Sequence, residues 1–125
     1  MPFIRSFTGD VLPVSIHIGY GYEDTEALSK GLHKKRVLPR SEVLPPREGA
    51  NATCYFLADA PIAIIALWQN ISVGVIAHEA VHAASYFCEV LGISTNHDED
   101  EPMAYLVQWV VENTLKVPLE DIVCH

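Results

Sequence analysis

The stretch Val75-Ile76-Ala77-His78-Glu79-Ala80-Val81-His82-Ala83-Ala84 lies in the middle of a run that predicts a helix from Val73 to Leu91. Asn70 or Ser72 can cap the start of this helix, and Gly92 can end it. The run is apolar around most of its circumference, so we expect the helix to be largely buried. The remaining elements are therefore expected to pack around it.

His78 and His82 are four residues apart, so their side chains project from one face of a helix with Cβ atoms about 5 to 6 Å apart. Two imidazoles in this position can bind one zinc ion, with a third protein ligand and a water completing a tetrahedral site. Glu79 lies about 100° further around the helix. From there its carboxylate can reach the metal-bound water and act as general base. The stretch predicts one Zn²⁺ per chain and Glu79 as the catalytic residue.

A pair of hydrogen-bonded histidines in the core is the structural alternative. Burying two imidazoles and a carboxylate without partners costs several kcal/mol, so a metal or a polar network must satisfy them. With 6 His and 10 Glu in 125 residues, random placement gives this five-residue pattern only about 0.02 times per chain. The metal site is the favoured interpretation.

Glu101 is the predicted third ligand, within the segment His97-Asp98-Glu99-Asp100-Glu101-Pro102-Met103-Ala104-Tyr105. Eighteen residues separate it from His82, which allows a turn and a second helix that returns along the first. That second helix is predicted from near Asn96 to about Lys116. The alternative ligands on the same segment are His97, Asp98, Glu99 and Asp100. The acidic run also has an explanation that involves no metal, because negative side chains are favourable at the N-terminus of a helix, the positive end of its dipole.

Three further segments predict strands, and one predicts a short helix capped by Asp24. The strands are expected over Val11–Ile18, Thr53–Leu57 and Ile62–Trp68, the last two joined by a hairpin loop, and the helix over Thr25–Lys35. The order of elements predicts a single α+β domain over residues 1–125, with a small sheet packed on the two predicted metal-binding helices. Residues 36–51 are expected to form an irregular connector, and residues 117–125 a C-terminal tail.

Net charge argues against two classes of partner. Sixteen Asp and Glu against eight Lys and Arg give a formal charge of −8, which opposes general binding of nucleic acid or of anionic membranes. Six of the eight basic residues nevertheless lie between Lys30 and Arg47. That segment suits either an anionic partner or a solvated loop, and the solvated loop is the favoured interpretation.

The expected compartment is the cytoplasm. The N-terminus lacks the apolar run of a signal peptide, and Pro61, Gln69 and Asn70 interrupt the uncharged stretch from Ala60 to Ala77, so it is not expected to span a membrane. The three cysteines are widely spaced, which is typical of reduced thiols.

The sequence resembles the gluzincin branch of zinc metallopeptidases. The resemblance rests on His78-Glu79-x-x-His82, followed after eighteen residues by Glu101-Pro102-Met103-Ala104. Over roughly residues 71–112 the sequence is also similar to small zincin-like proteins of bacteriophages and prophages. The resemblance implies His78, His82 and Glu101 as zinc ligands and Glu79 as the base. It also implies a peptide or peptidoglycan cross-bridge substrate, bound as an added strand along either Thr53–Leu57 or Ile62–Trp68.

The family also uses a Tyr or His to stabilise the oxyanion. Tyr105 is the candidate here, with Tyr86 and His97 as alternatives, although each also suits packing or a surface position. The alternative function is a zincin-like metal-binding interaction module of a phage without proteolytic activity, and a metal-free structural domain is a third. Glu79 favours the enzyme, because a module that hydrolyses nothing needs no base beside the metal.

Overall fold

The computed structural model describes residues 2–94 and 101–116, which form a four-stranded sheet and three helices. The elements in chain order are β1 (Phe3–Thr8), β2 (Ser15–Tyr20), α1 (Thr25–Lys34), β3 (Ala52–Phe56), β4 (Ile62–Leu67), α2 (Val73–Leu91) and α3 (Glu101–Thr114). This arrangement confirms the predicted α+β class. Across these described ranges, no helix is both long and apolar enough to cross a membrane.

The sheet has the strand order β1-β2-β4-β3. β2 and β4 run parallel at its centre, and each outer strand is antiparallel to its neighbour. β4 is almost entirely apolar and buried, as expected for a strand covered on both faces. Of the two strands that the sequence offered as a sheet edge, β3 is therefore the one that lies there.

Helix α1 covers one face of the sheet. Its N-cap Asp24 accepts a hydrogen bond from the Ala27 backbone N–H at 2.8 Å, as predicted. Gly19 of β2 allows α1 to approach the sheet closely, because a Cβ at that position would lie 2.6 Å from Leu28 Cδ1 of the helix. The apolar cluster on this face contains Ile4, Leu28, Leu32, Leu38, Leu44, Tyr55, Ile64 and Ala66. Residues of the 35–51 segment, which contains no helix or strand, are thus packed on the α1 side.

Helices α2 and α3 pack against each other on the opposite face. Ser72 caps α2 by accepting from the Val75 N–H at 3.1 Å, and Gly92 ends it in the left-handed conformation with φ 70°. Both features follow the sequence prediction. Between the helices, the Cys88 Sγ lies 3.9 Å from the Met103 Sδ. The two helices and the sheet enclose the larger core cluster.

Two strands differ from the sequence prediction. β1 was not predicted, and Ile4 is its only fully buried residue, so its pattern carries little hydrophobic signal. The second strand spans Ser15–Tyr20 rather than Val11–Ile18. Pro13, which lacks a backbone N–H, lies instead in the turn that the hydrogen bond from Gly9 N–H to Val14 O closes at 2.8 Å.

Candidate metal centre

His78 and His82 lie one helical turn apart on the solvent side of α2. Their Nε2 atoms are 3.2 Å apart, and their ring planes are inclined by 74°. The His78 side chain is 69% exposed. The shared face is as predicted. Of the alternative, a hydrogen-bonded pair of core histidines, the hydrogen bond is present between the two Nε2 atoms, but the core position is wrong because both residues are exposed.

Glu79 lies beside these histidines but points into the fold. Its side chain is 9% exposed, and its Oε1 lies 3.9 Å from His78 Nε2. Burial raises the pKa of the carboxyl, against the opposing effect of positive charge on His78 and His82. A raised pKa brings the carboxyl closer to neutral pH, which suits a group that accepts a proton and then returns it.

Two cavities meet at Glu79. The first, of about 470 Å³, lies at the start of α2 and is lined by Asn51, Ala52, Ser72, Gly74, Val75, His78 and Glu79. The second, of about 360 Å³, is lined by Pro46, Arg47, Glu48, Ala50, Ala52, Thr53, Cys54, Phe56, Glu79 and His82. Ala52 and Glu79 line both cavities, and His78 and His82 line one each, so the two cavities are neighbours along β3 on the histidine side. We call the two cavities together the β3 groove.

Strand β3 forms one side of the β3 groove. Its residue Cys54 is a neutral thiol, because burial and the nearby Glu79 carboxylate raise its pKa. At the end of the strand the Phe56 ring stacks on Tyr86 of α2, with centroids 4.3 Å apart. The Tyr86 hydroxyl in turn donates a hydrogen bond to the Leu57 carbonyl. These contacts hold the edge strand against the helix that carries the histidines.

The residues just before β3 form the other side of the β3 groove. The Tyr55 hydroxyl donates to the Pro45 carbonyl at 3.1 Å. The Arg47 guanidinium lies over the Trp68 ring, 5.2 Å from its centroid, a favourable cation–π contact. The cavity that contains Glu79 and His82 is also lined by part of the irregular 36–51 segment, including Arg47 and Glu48.

The structure does not bring Glu101 together with the histidines. Glu101 is the exposed first residue of α3, two residues before Met103, which contacts Cys88. Cys88 is six residues beyond His82, about 9 Å along the helix. Within residues 2–94 and 101–116, no three His, Cys, Asp or Glu side chains form a group able to hold a metal. The alternative ligands His97, Asp98, Glu99 and Asp100 lie outside the described residues.

Tyr105, the candidate oxyanion stabiliser, lies on α3 with 38% of its surface exposed. It lines neither cavity of the β3 groove. Of its alternatives, Tyr86 also lines neither cavity, and its hydroxyl donates to the Leu57 carbonyl, while His97 lies outside the described residues. The structure thus does not bring Tyr105 into the β3 groove.

Arg47 and its neighbours Pro46 and Glu48 were not anticipated as part of the site, whereas Cys54 and Phe56 lie on the Thr53–Leu57 strand that was expected to bind substrate. The alternation of β3 places Ala52, Cys54 and Phe56 on one face of the strand, and that signal was available in the sequence. Their position against α2 was not, because it depends on the sheet order.

No protein-family model, curated protein or solved structure matches this chain.

Proposed function

We propose that the protein is a zinc-dependent metallopeptidase that hydrolyses peptide amide bonds, with His78 and His82 as metal ligands and Glu79 as general base. One observation carries the proposal: the two Nε2 atoms are 3.2 Å apart. Two nitrogens that bind one tetrahedral zinc at 2.0 to 2.1 Å lie about 3.3 Å apart. The separation of the pair therefore matches the one that zinc requires, and without the ion the same two atoms share a direct hydrogen bond that zinc would replace.

When bound, zinc would lower the pKa of a water molecule to about 7 and polarise the scissile carbonyl. Glu79 takes the proton as the water oxygen bonds to the carbonyl carbon. It then gives that proton to the amide nitrogen as the carbon–nitrogen bond breaks, which yields a carboxylic acid and an amine. Its burial beside exposed histidines supports this role, because the carboxyl has a raised pKa.

The substrate proposed is an extended peptide, or a peptidoglycan cross-bridge, in the β3 groove. Edge strands offer unpaired backbone N–H and C=O groups to an added strand. β3 is the edge strand on the histidine side, and its residues Ala52, Cys54 and Phe56 line the groove with Glu79. A peptide laid along β3 would therefore pass the proposed base.

The second candidate is a metal-binding interaction module without proteolytic activity. One observation favours it: Tyr105, the candidate oxyanion stabiliser, lines neither cavity of the β3 groove. Such a module would use the same groove and the same histidines for binding alone. Activity measurements separate the two candidates.

The deciding experiment compares Glu79→Gln with Glu89→Gln after zinc loading. Both changes remove one carboxylate from α2, but Glu89 is exposed and lines neither cavity. Cleavage of an unstructured peptide library should fall by about two to four orders of magnitude in Glu79→Gln and stay unchanged in Glu89→Gln. Zinc content should be equal in both. A zinc-loaded wild type that cleaves no peptide or cross-bridge substrate would favour the interaction module.

A further inference from the structure

A second candidate site lies at the end of α1, on the face of the sheet opposite α2. The chain turns back there and encloses a cavity of about 430 Å³. The cavity is lined by His33, Lys34, Arg36, Val37, Leu38, Pro39 and Arg40. We call it the α1 cavity. Its lining contains three Lys or Arg side chains, one histidine and no carboxylate.

Positively charged residues are concentrated around the α1 cavity. The segment from Lys30 to Arg47 carries six basic residues and one acidic residue, Glu42, in a chain of net charge −8. Among the described residues, Lys34, Arg36 and Arg40 form no ion pair with a carboxylate. This excess of positively charged side chains attracts anions.

The backbone at Arg36 adds a second observation. Arg36 follows the C-cap Lys35 and adopts the left-handed conformation, with φ 61°. Glycine is the usual residue there, since a side chain costs roughly 1 kcal/mol or more. Basic residues are common in the last turn of a helix because they interact favourably with its negative end, and this explains His33 and Lys34. It does not explain why an arginine occupies the strained position 36, or why position 40, beyond the helix, is also an arginine.

The wall of the α1 cavity is held in place before any ligand binds. The His33 Nε2–H donates to the Glu42 carbonyl at 2.7 Å, and the Leu44 N–H donates to Ser29 Oγ at 3.0 Å. Leu38 is 3% exposed and anchors the cavity floor in the core. Arg40 therefore lies on a short segment tied to α1 on both sides, which reduces the ordering cost of binding.

We propose that the α1 cavity binds a compact phosphate-bearing small molecule. Guanidinium groups match phosphate oxygens with paired hydrogen bonds, which favours phosphate over a carboxylate ligand of lower charge. A cavity of this volume suits a small molecule. Its lining has no Phe, Tyr or Trp ring on which a nucleic-acid base could stack, so a polynucleotide is the less suitable partner.

Calorimetric titration with pyrophosphate at fixed ionic strength tests the proposal without reference to peptidase activity. The wild type should bind at one saturable site, and Arg36→Gly and Arg40→Gln should each weaken binding by about tenfold or more. Arg36→Gly also relieves the left-handed strain, so its Tm should not fall. Lys30→Gln is the matched control, because Lys30 is 74% exposed beside Glu26 and lies outside the cavity.

Three results would overturn the proposal. One is a wild type without saturable pyrophosphate binding. Another is an equal loss of affinity in Lys30→Gln, which would show diffuse attraction rather than a site. The third is a single-stranded oligonucleotide that binds more tightly than pyrophosphate and competes with it, which would assign the cavity to a polymer.

Discussion

His78 and Glu79 are adjacent in sequence but have opposite environments. The His78 side chain is 69% exposed and that of Glu79 is 9% exposed, although His78 Nε2 and Glu79 Oε1 are only 3.9 Å apart. The proposed ligand thus faces solvent, where an ion can reach it, while the proposed base is shielded beside β3. This difference is useful for catalysis because it raises the pKa of the base without burying the ligands.

The first prediction concerns zinc content. Wild-type protein loaded with zinc and then dialysed should retain about one zinc per chain, measured by elemental analysis. His78→Ala or His82→Ala should weaken zinc binding by more than a hundredfold, since even outer partners of zinc ligands contribute 10- to 100-fold. His33→Gln, which changes a histidine on α1, should retain zinc. A wild type that holds no zinc after loading would contradict the proposed centre.

The second prediction tests the third ligand. The sequence pattern predicts that Glu101→Ala weakens zinc binding far more than Asp98→Ala, Glu99→Ala or Asp100→Ala. Because the structure does not bring Glu101 together with the histidines, we expect instead a small effect of Glu101→Ala. A metal-competition titration measures each affinity. Equal, small effects in all four variants would agree with the position of Glu101 at the far end of α2. They would also show that the resemblance overstates the ligand set.

Helix α2 was predictable because its signals are local. Ser72, Gly92 and the spacing of His78 and His82 all act within one helix, so its bounds and its histidine face follow from the sequence. The degree of burial was overestimated. The outward face of α2 includes Val73 and Val81, which are about half exposed, and apolar composition alone does not reveal such a face.

The groove was not predictable, because it depends on contacts between distant segments. Which strand lies at the sheet edge depends on the parallel pairing of β2 with β4, and no local pattern specifies that pairing. The same is true of Arg47, whose position comes from its contact with Trp68. The predicted position of Glu101 was wrong for a related reason. The number of residues between His82 and Glu101 shows that two helices can pack side by side, but it does not determine how far one is shifted along the other.

The third prediction concerns substrate binding along β3. Phe56 is 41% exposed and lines the β3 groove beside His82. Phe56→Ala should raise KM by about tenfold and change kcat much less, because it removes contact surface and leaves the proposed base intact. Val11→Ala is the control, as Val11 is 75% exposed in the β1–β2 turn. A fall in kcat with unchanged KM would contradict this role.

The fourth prediction uses Cys54 as a reporter of the Glu79 charge. Burial and the Glu79 carboxylate both raise the pKa of the Cys54 thiol, and only the thiolate reacts with iodoacetamide. Glu79→Gln should therefore accelerate alkylation at Cys54. The rate is measured by mass spectrometry of the modified peptide. Glu89→Gln should not. An unchanged rate in Glu79→Gln would mean that the two side chains are not electrostatically coupled.

The last prediction concerns stability against pH and rests on His17 of β2. Burial, and secondarily the Lys35 ammonium, lower the pKa of His17 from 6.5. The ring also lies 2.7 Å from Ser6, through Nδ1 and Oγ. Near pH 6.5 the unfolded chain therefore binds a proton that the folded chain does not.

The free energy of unfolding should consequently decrease as the pH falls through about 6.5, by up to roughly 1.4 kcal/mol per pH unit from this residue. His17→Gln has no such proton to bind, so urea denaturation at pH 7.5 and 5.5 should show a smaller loss for the variant than for the wild type. Contributions from other groups cancel in this difference. Equal losses in both proteins would mean that His17 binds its proton equally well in the folded and unfolded chains.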